Sequence, residues 1–277
     1  MTFIRPVDAL SPGDHACLIY DDEERRDEIL ASYVSAGLGR AERVICLSDT
    51  VSPGLAERLE AIAGPGQLSF LPASKTFLPE GPGSFTPDRV LHHWRGAIQN
   101  SVEEGFEALC AAGEPPQALT SNGSGHLLVD YERRANGLFA TEKLVGLCLY
   151  DLRNTDARRL IGVVDAHPTV LYAARPDPRL KLEEPQSRRL VVSGWADITT
   201  LGGLADRLTA TVEEGGDVEV DLERVDFVDI AALRLFVEAA SRLSERGYTL
   251  TLARPPDWVP SVMPILGYND VEGLVLE

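Results

Sequence analysis

The chain alternates short apolar runs with longer stretches in which apolar residues return every three or four positions. HACLIY (15–20) and RVICLSD (43–49) read as strands. Between them DEERRDEILASYVSAGL (22–38) reads as a helix, with acids in its first turn and Ile29, Leu30, Tyr33, Val34 and Leu38 at helical spacing. GLAERLEAI (54–62) is a short helix ending near Gly64, Pro65 and Gly66. The segment from Phe77 to Phe85, rich in Pro and Gly, reads as a loop before a long helix over 87–105. ALCAAGE (108–114) and LVGLCLYD (144–151) are a third and a fourth strand, with helices over 125–139 and 156–167. Such a β-α alternation predicts a parallel sheet covered by helices.

RPDPRLKLEEPQS, Arg175 to Ser187, has three prolines, many charges and no periodicity, and reads as a linker or edge segment. The pattern then restarts. Strands are expected over 189–197, 217–225, 248–255 and 273–277, and helices over 200–215, 231–247 and 261–268. Two domains follow, 1–180 and 187–277.

Hydrophobic residues at 44% and charged residues at 25% describe a globular protein of 277 residues. A formal charge of -17 argues against a surface that tracks nucleic acid or anionic lipid, because phosphate binding needs clustered Lys and Arg. There is no basic segment followed by an apolar run at the start, and no apolar stretch of membrane-spanning length, so a cytoplasmic location is expected. Cys17, Cys46, Cys110 and Cys148 each sit in an apolar run, which suits buried thiols.

Residues 187–277 resemble the STAS domain of anti-sigma factor antagonists. The resemblance rests on VSGWADITT, VDLERVDFVDIAAL, RGYTLTLARP and PILGYNDV, in the family's order. It implies a mixed sheet with packed helices. The family's switchable members carry Asp, Ser, Ser or Thr, Gly and Leu after the second of these strands, with the first Ser at a helix N-terminus, where a phosphate is favoured. Here Asp229, Ile230, Ala231, Ala232 and Leu233 stand at those places, and none offers a hydroxyl. The resemblance therefore implies a lost phosphoswitch. It also implies a docking face of Asp197, Asp229, Ile230, Ala231, Ala232 and Arg234, with Asp229 alternatively a plain helix cap.

Residues 10 to about 175 resemble the MEDS domain of methanogen, methylotroph and dichloromethane-regulator sensory proteins. GDHACLIYDDEERRDEILASYVSAGLGRAERVICLSD, AAGEPP, LLVDYERRANGLF, LCLYD and AHPTVL carry the likeness. It implies an α/β RecA-like sheet and a small-molecule sensor. A RecA-like P-loop would need G-x-x-x-x-G-K-S/T after the first strand, whereas YDDEERRDE has no glycine and is acidic, so ATP is not expected there. His15, Tyr20, Glu24, Glu114, Glu132, Cys148, Tyr150 and His167 match the family's recurrent polar positions and form the candidate ligand-binding set.

In HACLIY the two-residue period puts His15 and Cys17 on one face, with Ala16, Leu18 and Tyr20 on the other; Cys148 and Tyr150 likewise share a face. Tyr20, Glu114 and Tyr150 fall near strand carboxyl ends, where open parallel sheets bind ligands. His15, Cys17, Cys148 and His167 carry zinc-ligating atoms, but no C-x-x-C or H-x-x-x-H spacing supports a metal, and none is expected. For His167 the plain alternative is a helix C-terminus before Pro168. Catalysis would need a Cys148 and His167 thiolate pair or a Glu114 and Glu132 carboxylate pair, neither supported by spacing, so no enzyme and no cofactor are expected.

The two resemblances together imply a sensor coupled to a docking domain. The implied partner is an anti-sigma factor or serine kinase of the histidine-kinase-like ATPase type, or other STAS proteins, with homo-oligomerisation left open. A non-sensing scaffold in a STAS complex is the alternative.

Overall fold

The computed structural model describes residues 6–81, 83–120, 125–173, 177–186, 188–268 and 270–277. Its internal contacts divide the chain into two compact units, Arg5–Ala173 and Ala174–Glu277.

In the first unit β1 (His15–Tyr20) leads to α1 (Glu23–Gly39), β2 (Arg43–Leu47), α2 (Pro53–Glu60), β3 (Leu68–Leu71) and α3 (Ala73–Phe77). Then come α4 (Pro87–Glu103), β4 (Leu109–Gly113), α5 (Gln117–Thr120), α6 (Gly125–Thr141), β5 (Leu144–Asp151), α7 (Ala157–Ala166) and β6 (Thr169–Ala173). The six strands form a parallel sheet in the order β3-β2-β4-β5-β1-β6. Its central strands are buried along their length, as two-sided coverage by helices requires. Ala16, Leu18 and Tyr20 pack with Leu30, Tyr33 and Val34 of α1 and Leu55 and Leu59 of α2. His15, Cys148 and Tyr150 therefore face the opposite side, toward α6 and α7. The sequence predicts four strands here; β3 and β6 are additional, and the unpredicted α3 ends at Phe77, where the expected loop begins.

The second unit holds β7 (Leu180–Gln186), β8 (Arg189–Ala196), α8 (Gly202–Glu214), β9 (Val218–Val228), α9 (Ile230–Ser244), β10 (Leu250–Ala253), α10 (Val259–Val262) and β11 (Leu274–Leu276). They form a mixed sheet ordered β11-β10-β9-β8-β7, with β7 antiparallel to β8 and the other pairs parallel. Part of the segment read as a linker or edge is thus the edge strand β7, where a proline is tolerated because an edge leaves one side of the strand unpaired. Residues 175, 176 and 187 of that segment lie outside the described residues. The C-terminal sheet accordingly starts ahead of the expected boundary at 187. Gly194 has φ +88, and a Cβ there would lie 2.1 Å from the Arg179 carbonyl, so the close approach of the backbone at the start of β7 to β8 requires glycine. Among the described residues no helix is long and apolar enough to cross a membrane.

Candidate functional site

Five of the eight candidate ligand-binding residues meet in one buried cluster between the sheet and the helices α6 and α7. The parallel register sets His15 of β1 opposite Gly146 of β5 and Cys17 opposite Cys148. His15 and Cys148 thereby come to the same face. Glu132 and Asn136, four apart on α6, point back at them.

His15 Nε2 lies 3.4 Å from Glu132 Oε2 and 3.5 Å from Cys148 Sγ. Cys148 Sγ is 3.7 Å from the same carboxylate oxygen, and His167 Nε2 is 3.5 Å from it. Tyr150 donates its hydroxyl to Glu132 Oε1. His15 Nδ1 pairs with Asn136 Oδ1 at 2.9 Å, and the Asn136 amide nitrogen donates to the Ala166 carbonyl at 2.7 Å. His167 Nδ1 donates to the Val163 carbonyl at 2.8 Å, which also fastens it to the end of α7. The Phe139 ring stacks on His15 with centroids 4.1 Å apart. A Cβ at Gly146 would come within 2.4 Å of that ring, so the stack depends on glycine at this position.

His15, Glu132 and His167 are almost wholly buried. Burial alone would raise the Glu132 carboxyl, but the hydrogen bonds and charges of His15, His167 and Tyr150 outweigh it and hold the group below its usual range. Burial, followed by the charge of Glu132, pushes the Cys148 thiol and the Tyr150 phenol well above theirs. Beside the cluster is an apolar cavity of about 30 Å³ lined by residues that include Phe77, Trp94, Tyr131 and Phe139. That is room for about two water molecules.

Tyr20 and Glu114 form a second, separate cluster beyond the carboxyl ends of β1, β2 and β4. Glu114 accepts from Tyr20 OH at 2.5 Å, Ser48 Oγ at 2.6 Å and Thr50 Oγ1 at 2.5 Å. Arg26, buried in α1, donates to Thr50 and Asp27 and lies over the Tyr20 ring. Burial and the neighbouring Glu114 raise the Tyr20 phenol. Asp22 caps α1 by accepting from the amides of Glu24 and Arg25. A carboxylate therefore takes the helix N-terminus that a P-loop would offer to phosphate.

Tyr150 faces away from Tyr20 across the sheet, so the three residues expected at strand ends do not line one pocket. Glu114 and Glu132 fall in different clusters and form no carboxylate pair. Glu24 is exposed on α1 and joins neither cluster. Sequence reasoning missed Asn136, Phe139, Arg26, Ser48 and Thr50. For the first two a signal existed, since they follow Glu132 by four and seven residues on one helical face.

In the second unit Asp229 caps α9, accepting from Ala232 N at 2.9 Å, and its other oxygen accepts from Ile198 N at 2.9 Å. Burial raises its carboxyl despite these bonds. Asp197 is half-buried and accepts from Thr199 Oγ1 at 2.5 Å. Of the residues expected to form a docking face, Ala231 and Ala232 are buried because they open the inward face of α9, and Arg234 is largely covered and bound to Glu238. The exposed apolar surface at this end comes instead from Ile230 (50% exposed), Trp195 (50%) and Phe227 (45%), the last two with ring centroids 5.7 Å apart.

Residues 14–168 match the family model described as MEDS, the MEthanogen/methylotroph, DcmR Sensory domain, and residues 181–276 match one described as Mlab, STAS domain. No curated protein matches the chain. Among solved structures it is similar to the Bacillus cell fate determinant SpoIIAA in its phosphorylated form, at 16% identity over 35% of this chain and 90% of that one, TM-score 0.29. It is also similar to the anti-sigma factor antagonist SpoIIAA in its unphosphorylated form, at 17% identity over 35% and 87%, TM-score 0.29.

Proposed function

The chain belongs to the MEDS family, with a STAS domain following the sensory one, and from that premise we propose that it is a signalling protein in which a sensory unit controls a docking unit. The N-terminal unit responds to a small ligand or a protein state. The C-terminal unit binds a regulatory partner, of the anti-sigma factor or histidine-kinase-like serine kinase type or another STAS protein. Both domain types are regulatory, which supports a non-catalytic role.

One observation carries the reading: Ile230 is exposed at the start of α9, Trp195 and Phe227 are exposed at the same sheet end, and no residue from Asp229 to Leu233 has a hydroxyl. Exposed apolar side chains grouped in this way favour a protein partner. With no phosphate acceptor in that stretch, docking is not switched there, and control passes to the sensory unit. Such control requires that the sensed state be bound with different affinity in two conformations.

The test is affinity capture from the source cells with the wild-type chain beside Ile230→Glu, whose charge imitates a phosphorylated face. Recovery of an anti-sigma factor, such a kinase or a STAS protein by the wild type alone is the expected result. Equal recovery by both would show that this face is not the docking site. The small cavity beside His15 favours a second reading, a scaffold whose N-terminal pocket is filled by its own side chains.

A further inference from the structure

We propose that His15, Glu132, Cys148 and His167 form a four-coordinate site for a divalent transition-metal ion of the zinc class. The proposal stands on the geometry of the first unit and is independent of the docking reading. The linear spacing that argued against a metal is irrelevant here, because the residues come from β1, α6, β5 and the end of α7. Glu132 takes the place that Cys17 held in the sequence-level set.

The distances fit. A tetrahedral zinc ion with bonds of about 2.0–2.3 Å sets its ligand atoms roughly 3.3–3.7 Å apart. Of the six separations among these four atoms, four are 3.4, 3.5, 3.5 and 3.7 Å. All four ligand atoms lie within 4.8 Å of one another.

The outer hydrogen bonds aim the ligands. The Val163 carbonyl only accepts, so His167 carries its hydrogen on Nδ1 and turns Nε2 to the cluster. The Asn136 amide nitrogen is committed to the Ala166 carbonyl, so its oxygen faces His15, which likewise carries hydrogen on Nδ1 and presents Nε2. Metal-ligating histidines are fixed in this way by a partner on the second ring nitrogen. Two imidazole Nε2 atoms and a carboxylate oxygen thus converge on one point, where a metal ion would take the place of the hydrogens that otherwise bridge them. Tyr150 meanwhile holds the other carboxylate oxygen.

The charges also close. A divalent ion, one thiolate, one carboxylate and two neutral imidazoles sum to zero, which avoids an uncompensated charge in a buried site. The ion would displace the thiol proton to solvent, as a coordinating thiol is deprotonated. Elements far apart in the chain would then be clipped together.

The test uses the full chain, stripped with a chelator and titrated with Co²⁺ and Zn²⁺. One equivalent of Co²⁺ should bind, with the thiolate-to-metal charge-transfer band and intense visible bands of a four-coordinate site. Zn²⁺ should displace it and raise the thermal midpoint with free zinc concentration. Cys148→Ser should abolish the charge-transfer band, and Glu132→Gln should weaken binding at least tenfold, while Cys46→Ala, on the opposite sheet face, retains both. If Glu132→Gln does not fold, the near-isosteric Cys148→Ser decides through its lost band. Absence of stoichiometric binding, a spectrum without the thiolate band, or unchanged affinity in the variants would overturn the site.

Discussion

At the residue scale, Asp229 and Glu238 make the most direct energetic statements. Asp229 satisfies one amide of α9 and one of the loop after β8, so Asp229→Ala leaves two donors without their acceptor. A loss of about 1–2 kcal/mol is expected in urea unfolding of the second unit. A loss near zero would mean that the cap is redundant. Glu238 is buried in α9, and burial, only partly offset by Arg234, raises its carboxyl from 4.5 to about 7. Between those values the unfolded chain has released the proton while the folded one keeps it. Stability therefore falls as pH rises through that window and levels off above it, by about 3 kcal/mol in all. Glu238→Gln should flatten this slope in unfolding measured from pH 4.5 to 8; an unchanged slope would assign it to other groups. Residue chemistry was partly legible beforehand. The cap at Asp229 followed from its place before a helical run, whereas a buried glutamate within a helix looks in sequence like any exposed one.

At the element scale, the strands that alternate or run apolar, such as HACLIY and LVGLCLYD, were readable because burial on both faces leaves its mark in composition. β3, with four residues, is too short to set a period. β7 tolerates one proline and several charges because it is an edge, and those same features read as a linker. The buried cluster was half legible: the strand period places Cys148 and Tyr150 together, but the register of β1 against β5 and the reach of α6 across them are tertiary facts. Gly146 tests that packing. Gly146→Ala would put a methyl 2.4 Å from the Phe139 ring, a rigid neighbour in α6. A cost of about 1–3 kcal/mol in unfolding is expected, with loss of the His15 stack. A neutral substitution would show that α6 gives way easily.

At the scale of the whole molecule, the two units each bury their own core, so each is expected to fold alone. A fragment of residues 174–277, which keeps β7, should unfold cooperatively. A fragment of 187–277 lacks that strand, leaves β8 as an unprotected edge, and should be less stable or prone to associate. Equal behaviour of the two fragments would remove β7 from the folding unit. The sequence indicated two domains by the restart of its pattern, yet nothing in it revealed how one unit would govern the other. The proposed function requires that the state of the sensory unit control the docking face. The most direct measurement of that control is hydrogen exchange of the full chain, wild type beside Glu132→Gln, read at residues 195–200 and 229–236. Altered protection in those segments is the result the claim requires. Altered exchange confined to residues 6–173, with the docking segments unchanged, would contradict it.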